Sequence, residues 1–256
     1  MSLTEADEVF EVGSGSAEKI GLLLQHGGAH AVSAYACVDV NAVALEHAAK
    51  DMMHRFPGVD VTSYVGDFVS DLGKVPPAEQ GRRLVAFFGS TIGNLDKEAR
   101  GRFFTDVATM LGTEDWLLLG MDLVKDRDRL RRAYDDSRGV TAEFTRNILR
   151  VVNREMDADF PVDAFEHVPR WNETESRMEA WLRATRAISV GIKKIGLEVT
   201  LVKGEEILTE VSCKFTRESI EPELERAGLR IHRWFTDEPD DFALALVTPA
   251  RAAGRR

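Results

Sequence analysis

Apolar positions in the first half of the chain fall in short runs, separated by segments with helical spacing. Residues 84–88 are almost entirely apolar, as in a central strand that is buried on both faces. The short apolar runs and the helical segments alternate along the first half of the chain, in the order typical of parallel strands joined by crossover helices. The predicted strands are 8–12, 34–40, 59–65, 84–88 and 115–122, and the predicted helices are 17–25, 43–56 and 97–111.

The pattern changes after residue 123. Two successive helices are predicted at 126–134 and 141–155, and residues 177–190 and 197–202 alternate like antiparallel strands. A helix at 218–227 and strands at 230–235 and 242–247 complete the chain. We therefore expect an α/β protein, in which residues 1–123 and 213–256 form a Rossmann-like domain. Residues 124–212 are expected to form an inserted α+β unit that binds substrate.

Composition narrows the class of protein. The 256 residues are 44% hydrophobic and 30% charged, which is the balance of an ordinary globular protein. The net charge of -10 argues against a nucleic-acid partner, because binding phosphates requires positive charge. Cys37 and Cys213 lack the spacing of a metal site, so we expect no metal and a reducing compartment. The acidic N-terminus is unlike a secretory signal, and no apolar run could span a membrane. These features favour a cytoplasmic protein, with a monomer preferred.

A glycine-containing turn follows the first predicted strand, at Glu11-Val12-Gly13-Ser14-Gly15. Glycines there allow a sharp turn and a close approach of the backbone to a ligand. Glu18 occupies the position of the third glycine of a dinucleotide-binding fingerprint, which counts against NAD. A plain strand-to-helix turn remains an equal alternative for this motif alone.

Acidic residues follow the next two predicted strands. Asp39 lies about where a ribose-binding carboxylate is expected, although it also suits a helix cap. Asp67 and Phe68 follow the third strand, where an acid and an aromatic ring can bind an adenine, although this is also a common turn sequence. Taken together, the turn, the two acids and the ring favour an adenosyl cofactor. The chain has no P-loop, which counts against ATP.

Five further motifs, in order along the chain, resemble those of the histidine-specific methyltransferases of ergothioneine biosynthesis. They are Phe88-Gly89-Ser90-Thr91-Ile92-Gly93-Asn94, Asp122-Leu123-Val124-Lys125-Asp126, Ala133-Tyr134-Asp135-Asp136, Phe144-Thr145-Arg146-Asn147 and Glu210-Val211-Ser212-Cys213-Lys214-Phe215. The resemblance runs from about residue 4 to 247. It implies a class I methyltransferase sheet, S-adenosyl-L-methionine as cofactor, and three successive methyl transfers to the α-amino nitrogen of histidine, giving hercynine.

The resemblance also implies roles for individual residues. The implied cofactor contacts are Gly13, Lys19, Asp39, Asp67 and Phe68. The implied pocket for the amino and carboxylate groups of the substrate consists of Gly89, Asn94 and Tyr134. Glu210 and Ser212 are implied to recognise the imidazole. Gly89 and Asn94 are further expected to orient the reacting amine, and we find no dedicated general base.

Each substrate assignment has a plainer alternative. Asn94 suits a cap for the following helix, Tyr134 a ring covering the core, and Glu210 with Ser212 one exposed face of a strand. The six histidines lie outside the matching motifs, and we expect them to be surface or structural groups. They are His26, His30, His47, His54, His167 and His232.

The sequence departs from the family pattern in two places. The family carries several dozen residues before the first strand, including tyrosines that close the amino-acid pocket, whereas the tyrosines here are Tyr35, Tyr64 and Tyr134. Ala180 lies where the family pocket presents a methionine, which predicts a larger pocket. Three alternatives follow: a methyltransferase acting on another amino acid, a protein that binds S-adenosylmethionine without turnover, and, less favoured, an NAD-linked oxidoreductase.

Overall fold

The computed structural model describes residues 6–26, 32–75, 78 and 81–250, and the prediction that His30 is a surface or structural group lies outside them. The helices are α1 Glu18–His26, α2 Ala42–Arg55, α3 Lys97–Met110, α4 Arg127–Tyr134, α5 Val140–Met156 and α6 Arg217–Arg226. The strands are β1 Glu8–Val12, β2 Ala34–Asp39, β3 Asp60–Val65, β4 Arg83–Phe87, β5 Trp116–Asp122, β6 Phe165–Asn172, β7 Arg177–Ala184, β8 Ile188–Ile192, β9 Leu197–Leu201, β10 Glu206–Cys213, β11 Leu229–Thr236 and β12 Phe242–Pro249. Among the described residues, no helix is long and apolar enough to cross a membrane.

The chain divides into two compact units. The first contains the residues up to Leu123 together with those from Phe215 onward, and the second contains Val124–Lys214. Cys213 and Lys214 were expected in the first unit and lie in the second. Cys213 ends β10 and pairs with Arg177 of β7. Each unit has its own hydrophobic core.

The first unit is built on a seven-stranded sheet in the order β11-β12-β5-β4-β1-β2-β3, as far as the described residues show. Strands β1 to β5 are parallel, whereas β12 is antiparallel to both β5 and β11. The predicted α/β fold with a Rossmann-like sheet is confirmed. In such a sheet the chain reverses direction of winding between β1 and β4, and ligands bind at the carboxyl ends of the strands there.

Capping and one-sided burial explain the helices beside this sheet. The Asn41 side chain accepts hydrogen bonds from two backbone N–H groups at the start of α2, and Leu45 and Met52 on that helix are buried. In α3, the Asp96 side chain accepts from Ala99 N. Both helices thus begin at a residue whose short polar side chain satisfies free N–H groups.

The second unit contains an antiparallel sheet in the order β10-β7-β6 and a β8–β9 hairpin. Sequence patterning predicted one strand over 177–190, but the structure breaks it into β7 and β8. It also missed β6, and it offered a strand at Glu210 and Ser212, which lie in β10, only as an alternative. Strand β6 contains Pro169 and alternates poorly because both of its faces mix polar and apolar residues, which weakens the signal of a half-buried strand.

Candidate active site

The glycine turn after β1 lies at the switch point of the sheet. Gly13 and Gly15 have φ angles of +64° and +51°, which a side chain would strain. Gly13 N donates to Val38 O at 2.8 Å, which ties the turn to β2. A Cβ atom added at Gly13 would lie 3.7 Å from the ring of Phe87 and 4.0 Å from that of Phe68, so the bare backbone leaves room above these rings.

Asp39 ends β2 and faces this turn. Its Oδ2 accepts from Gly15 N at 3.1 Å, and its Oδ1 accepts from Asn41 N at 2.9 Å. The alternative that Asp39 caps α2 is wrong, because Asn41 is the N-cap residue. A carboxylate has about four acceptor sites, so one donor on each oxygen leaves capacity for a ribose hydroxyl pair.

Asp67 and Phe68 follow β3 at the same edge of the sheet. Gly66 N donates to Asp39 O at 3.1 Å, so the loops after β2 and β3 are joined. Asp67 is exposed, and its Oδ1 accepts from Val69 N at 2.8 Å. Phe68 is half-buried and packs edge-on against Phe87, with ring centroids 5.2 Å apart. The exposed part of this ring is a suitable stacking surface for a base.

Glu11 is a buried acid at this site that the sequence analysis did not single out. Its Oε2 accepts from the Tyr35 hydroxyl at 2.6 Å. Burial raises the pKa of Glu11 to about 7, against the hydrogen bond from Tyr35 and the charge of Lys19, while the charge of Asp39 raises it further. The sequence signal that could have identified Glu11 is an acidic residue inside the first strand, just before the glycine turn.

The loop after β4 is held in an unusual backbone conformation. Gly89 and Ser90 have φ angles of +75° and +60°, and the Ser90 hydroxyl accepts from Asp122 N at 2.9 Å. A Cβ atom added at Gly89 would lie 3.8 Å from Lys19 Nζ, so this lysine approaches the loop. Asn94 ends the following 3₁₀ turn and is exposed. The alternative that Asn94 caps α3 is wrong, because Asp96 does so.

A cavity of about 700 Å³ opens beside this loop within the first unit. Its lining includes Lys19, Gly89, Ser90 and Asp122. The rest is mostly apolar and is lined by Leu22, Leu23, His26, Phe88, Leu118, Phe242 and Leu244. The volume is in the range of small-molecule sites, which are typically apolar with a few convergent polar groups.

The residues assigned to imidazole recognition lie on one face of the β10-β7-β6 sheet. The register slips at Thr209, so that Glu210 pairs with Ala180 and Ser212 pairs with Met178. Side chains directly opposite each other, and those two positions apart, share a face. Glu210, Ser212 and Ala180 therefore face the same side of the sheet.

Lys214 connects these residues to Tyr134, although no sequence pattern indicated a role for it. Its ammonium donates to the Ser212 hydroxyl at 2.8 Å and to the Tyr134 hydroxyl at 2.9 Å. Tyr134 is thus tied by its hydroxyl to Lys214, rather than serving only as a core-covering ring. Burial raises the pKa of Glu210, while the charges of Lys214 and His167 lower it.

His167 was expected to be a surface or structural group, yet it lies beside this cluster. In β6 it is two positions from Pro169, which pairs with Ala180, so it shares the face of Glu210. Its Nε2 donates to Tyr134 O at 3.0 Å, at the end of α4. Tyr134 is therefore held through both its carbonyl and its hydroxyl. Only the strand register, which the sequence does not give, shows this proximity.

Comparison with known proteins gives the family. The sequence profile described as "Histidine-specific methyltransferase, SAM-dependent" matches residues 1–249. The chain is 50% identical to a histidine N-alpha-methyltransferase of Mycolicibacterium smegmatis, over 94% of this chain and 75% of the relative. It is 47% identical to that of Mycobacterium tuberculosis, over 96% of this chain and 76% of the relative.

Solved structures agree on the fold. An S-adenosylmethionine-dependent methyltransferase from Clostridium acetobutylicum has a TM-score of 0.50 at 10% identity, covering 94% of this chain and 83% of that one. At that identity the likeness concerns the fold alone. With the profile match across nearly the whole chain and the two close relatives, it follows that this protein belongs to the family of histidine-specific, S-adenosylmethionine-dependent methyltransferases.

Proposed function

We propose that this chain transfers methyl groups from S-adenosyl-L-methionine to the α-amino nitrogen of L-histidine, three times in succession, giving hercynine for ergothioneine biosynthesis. The family match and the names of the two mycobacterial relatives support the reaction. The observation that carries the substrate is the pair Glu210 and Ser212 on one strand face. We further propose a cytoplasmic monomer that acts on the free amino acid, with no nucleic-acid partner.

The residues of the first unit fit the cofactor. Asp39 retains acceptor capacity for a ribose, Phe68 offers a stacking surface, and Gly13 leaves its backbone open to a ligand. Lys19 would pair with the carboxylate of the cofactor, and Asp67 with its adenine amino group. When bound, the cofactor supplies a methyl group on a sulfonium, which is already activated toward an amine.

The protein's contribution to the transfer is alignment of the substrate amine. An amine attacks only as the neutral species, with its lone pair directed at the methyl carbon. In this proposal the Gly89 carbonyl and the Asn94 side chain accept hydrogen bonds from the N–H groups of the substrate amine. These bonds orient the nitrogen. The amine proton leaves to water. Alignment of two reactants supplies a large share of the acceleration in such a displacement.

The second unit is assigned the recognition of the histidine side chain. Glu210 accepts from one ring N–H, and the Ser212 hydroxyl bonds the other ring nitrogen. Tyr134 is assigned to the carboxylate of the substrate. A pocket that pairs both nitrogens rejects a side chain lacking them, because its own buried polar groups would then be unpaired.

Two alternatives remain testable. Ala180, which pairs with Glu210, is smaller than the methionine that the family resemblance implies at this position, which favours a methyltransferase with a broader choice of amino acids. A protein that binds the cofactor without turnover is the second alternative. Incubation with S-adenosylmethionine and a panel of amino acids, followed by mass spectrometry, separates them. We expect histidine products with one, two and three added methyl groups, whereas products from another amino acid alone, or none, would contradict the proposal.

A variant tests the assignment of the reacting end. We expect Asn94→Ala to reduce turnover of histidine by roughly 10- to 1,000-fold, because the amine loses its orienting acceptor. Gln25→Ala removes another exposed amide from the same unit and serves as the matched control. Unchanged histidine affinity and turnover in Asn94→Ala would rule out this role.

A further inference from the structure

Lys214 is the buried cation of the face that carries Glu210 and Ser212. It is 3% exposed, and its backbone N donates to Ser176 O at 2.8 Å, which fixes its position just after β10. Its ammonium reaches the Ser212 hydroxyl at 2.8 Å and the Tyr134 hydroxyl at 2.9 Å. We propose that Lys214 is a positioning residue that turns both hydroxyls into donors, so that the pocket selects a ring with one unprotonated nitrogen.

The direction of these hydrogen bonds follows from their chemistry. An ammonium group has donors only, so the Ser212 and Tyr134 oxygens must accept from it. Each hydroxyl then still has its own hydrogen to donate. Across the described part of the chain, neither hydrogen has a protein acceptor within hydrogen-bond distance. Both hydroxyls are therefore set to donate to a bound ligand.

This inference rests on the proposed function, and it specifies the form of the substrate. An ionised Glu210 can only accept, whereas Ser212, with one lone pair occupied by Lys214, is biased toward donating its hydrogen. Glu210 and Ser212 together are thus complementary to a ring with one N–H and one unprotonated nitrogen, which is a neutral imidazole. A pyrrole, with one N–H and no second ring nitrogen, or an imidazolium, with two N–H groups, would leave one of the two groups without its complement.

The charged and titratable groups around Ser212 determine the conditions for a test. They are Lys214 and Glu210 on the same face, Tyr134 at the end of α4, and His167 on β6. Loss of the lysine charge would make Glu210 easier to protonate, because that charge lowers its pKa. Measurements at pH 8.5, well above the ordinary range of carboxyl groups, favour the ionised form of Glu210 in the variants as in the wild type.

The test compares histidine with L-pyrrolylalanines, in which one ring nitrogen is replaced by CH. We expect the wild type to prefer histidine by at least about 10-fold in kcat/KM, because Ser212 finds no acceptor on a pyrrole. In Lys214→Met, Ser212 is free to rotate, and the preference should fall to within about 3-fold. Lys203→Met, an exposed lysine of the same unit, should keep the wild-type preference.

Two further variants complete the design. Ser212→Ala should lose the preference for histidine over pyrrolylalanine to the same extent as Lys214→Met. The double variant should show no further loss, because the lysine acts through the Ser212 hydroxyl. If circular dichroism shows Lys214→Met to be unfolded, Lys214→Gln replaces it, since an amide can accept as well as donate. A folded Lys214 variant that discriminates like the wild type would overturn the assignment, even where histidine is methylated normally. A wild type that neither binds nor methylates histidine would contradict the proposed function itself.

Discussion

The Tyr35 hydroxyl donates a 2.6 Å hydrogen bond to Glu11 Oε2 in the interior of the sheet, below the glycine turn. Burial raises the pKa of this carboxyl from 4.5 to about 7, so the folded protein favours its protonated form. The stability that Glu11 contributes is therefore fully present below pH 4.5 and is lost as the pH rises through about 7. The shift corresponds to about 3 kcal/mol.

Glu11→Gln should remove this pH dependence. The amide cannot ionise but still accepts from Tyr35, so the variant should lose less stability than the wild type between pH 5 and pH 8.5. Urea unfolding at a series of pH values measures the difference. Glu18→Gln, an exposed acid three residues past the turn, is the control. Parallel stability curves for wild type and Glu11→Gln would contradict the account of this buried acid.

Asp39→Asn should weaken cofactor binding. The amide replaces one acceptor oxygen with a donor, which would face either Gly15 N, Asn41 N or a ribose hydroxyl. We expect the dissociation constant of S-adenosylhomocysteine to rise by roughly 10- to 100-fold, as measured by calorimetry. Asp60→Asn at the exposed start of β3 should bind normally. Equal affinities in the two variants would mean that Asp39 only supports the backbone.

Ala180→Met should narrow the choice of amino acid. Ala180 is 3% exposed and pairs with Glu210, so a longer side chain would crowd the surroundings of this carboxylate. The ratio of kcat/KM for tryptophan over histidine should fall by about 10-fold. Ala187→Met, at an exposed position of the same unit, should leave the ratio unchanged. A ratio that stays constant in Ala180→Met would show that this position does not limit the pocket.

Glu223→Gln should destabilise the first unit without affecting chemistry. Arg100 of α3 donates to both carboxylate oxygens of Glu223 in α6, at 2.9 Å each, and both side chains are buried. Breaking a buried pair by changing one partner costs about 3–5 kcal/mol. Chemical denaturation should show this loss, whereas Glu225→Gln, exposed on the same helix, should cost under about 0.5 kcal/mol. A loss of stability as small as that of Glu225→Gln in the Glu223→Gln variant would contradict a stabilising role of the Arg100–Glu223 pair.

The sequence predicted the sheet of the first unit well because its central strands β4 and β5 are short and almost continuously apolar. The residues at the ends of β1, β2 and β3 could be identified because parallel topology alone brings strand ends to one edge. The second unit was harder, since its sheet is antiparallel and mixes polar and apolar residues on both faces. Strand β6 in particular carries Pro169 and gives little alternation.

The contacts around Tyr134 could not be predicted from the sequence alone. Lys214 and Ser212 are two residues apart, but Tyr134 lies 80 residues before Lys214. Their meeting depends on the packing of α4 and on the register slip at Thr209, which sets the side of the sheet that Glu210 faces. The proximity of His167 depends on the pairing of β6 with β7. Neither register follows from local patterning.

The most direct test of the central claim is calorimetric titration of the chain with L-histidine, with and without saturating S-adenosylhomocysteine. We expect histidine to bind the chain that holds S-adenosylhomocysteine, and Glu210→Ala to weaken this binding by at least about 10-fold, because the ring N–H loses its acceptor. S-adenosylhomocysteine binding without any heat from histidine, in a chain of normal stability, would contradict the assignment of histidine as substrate.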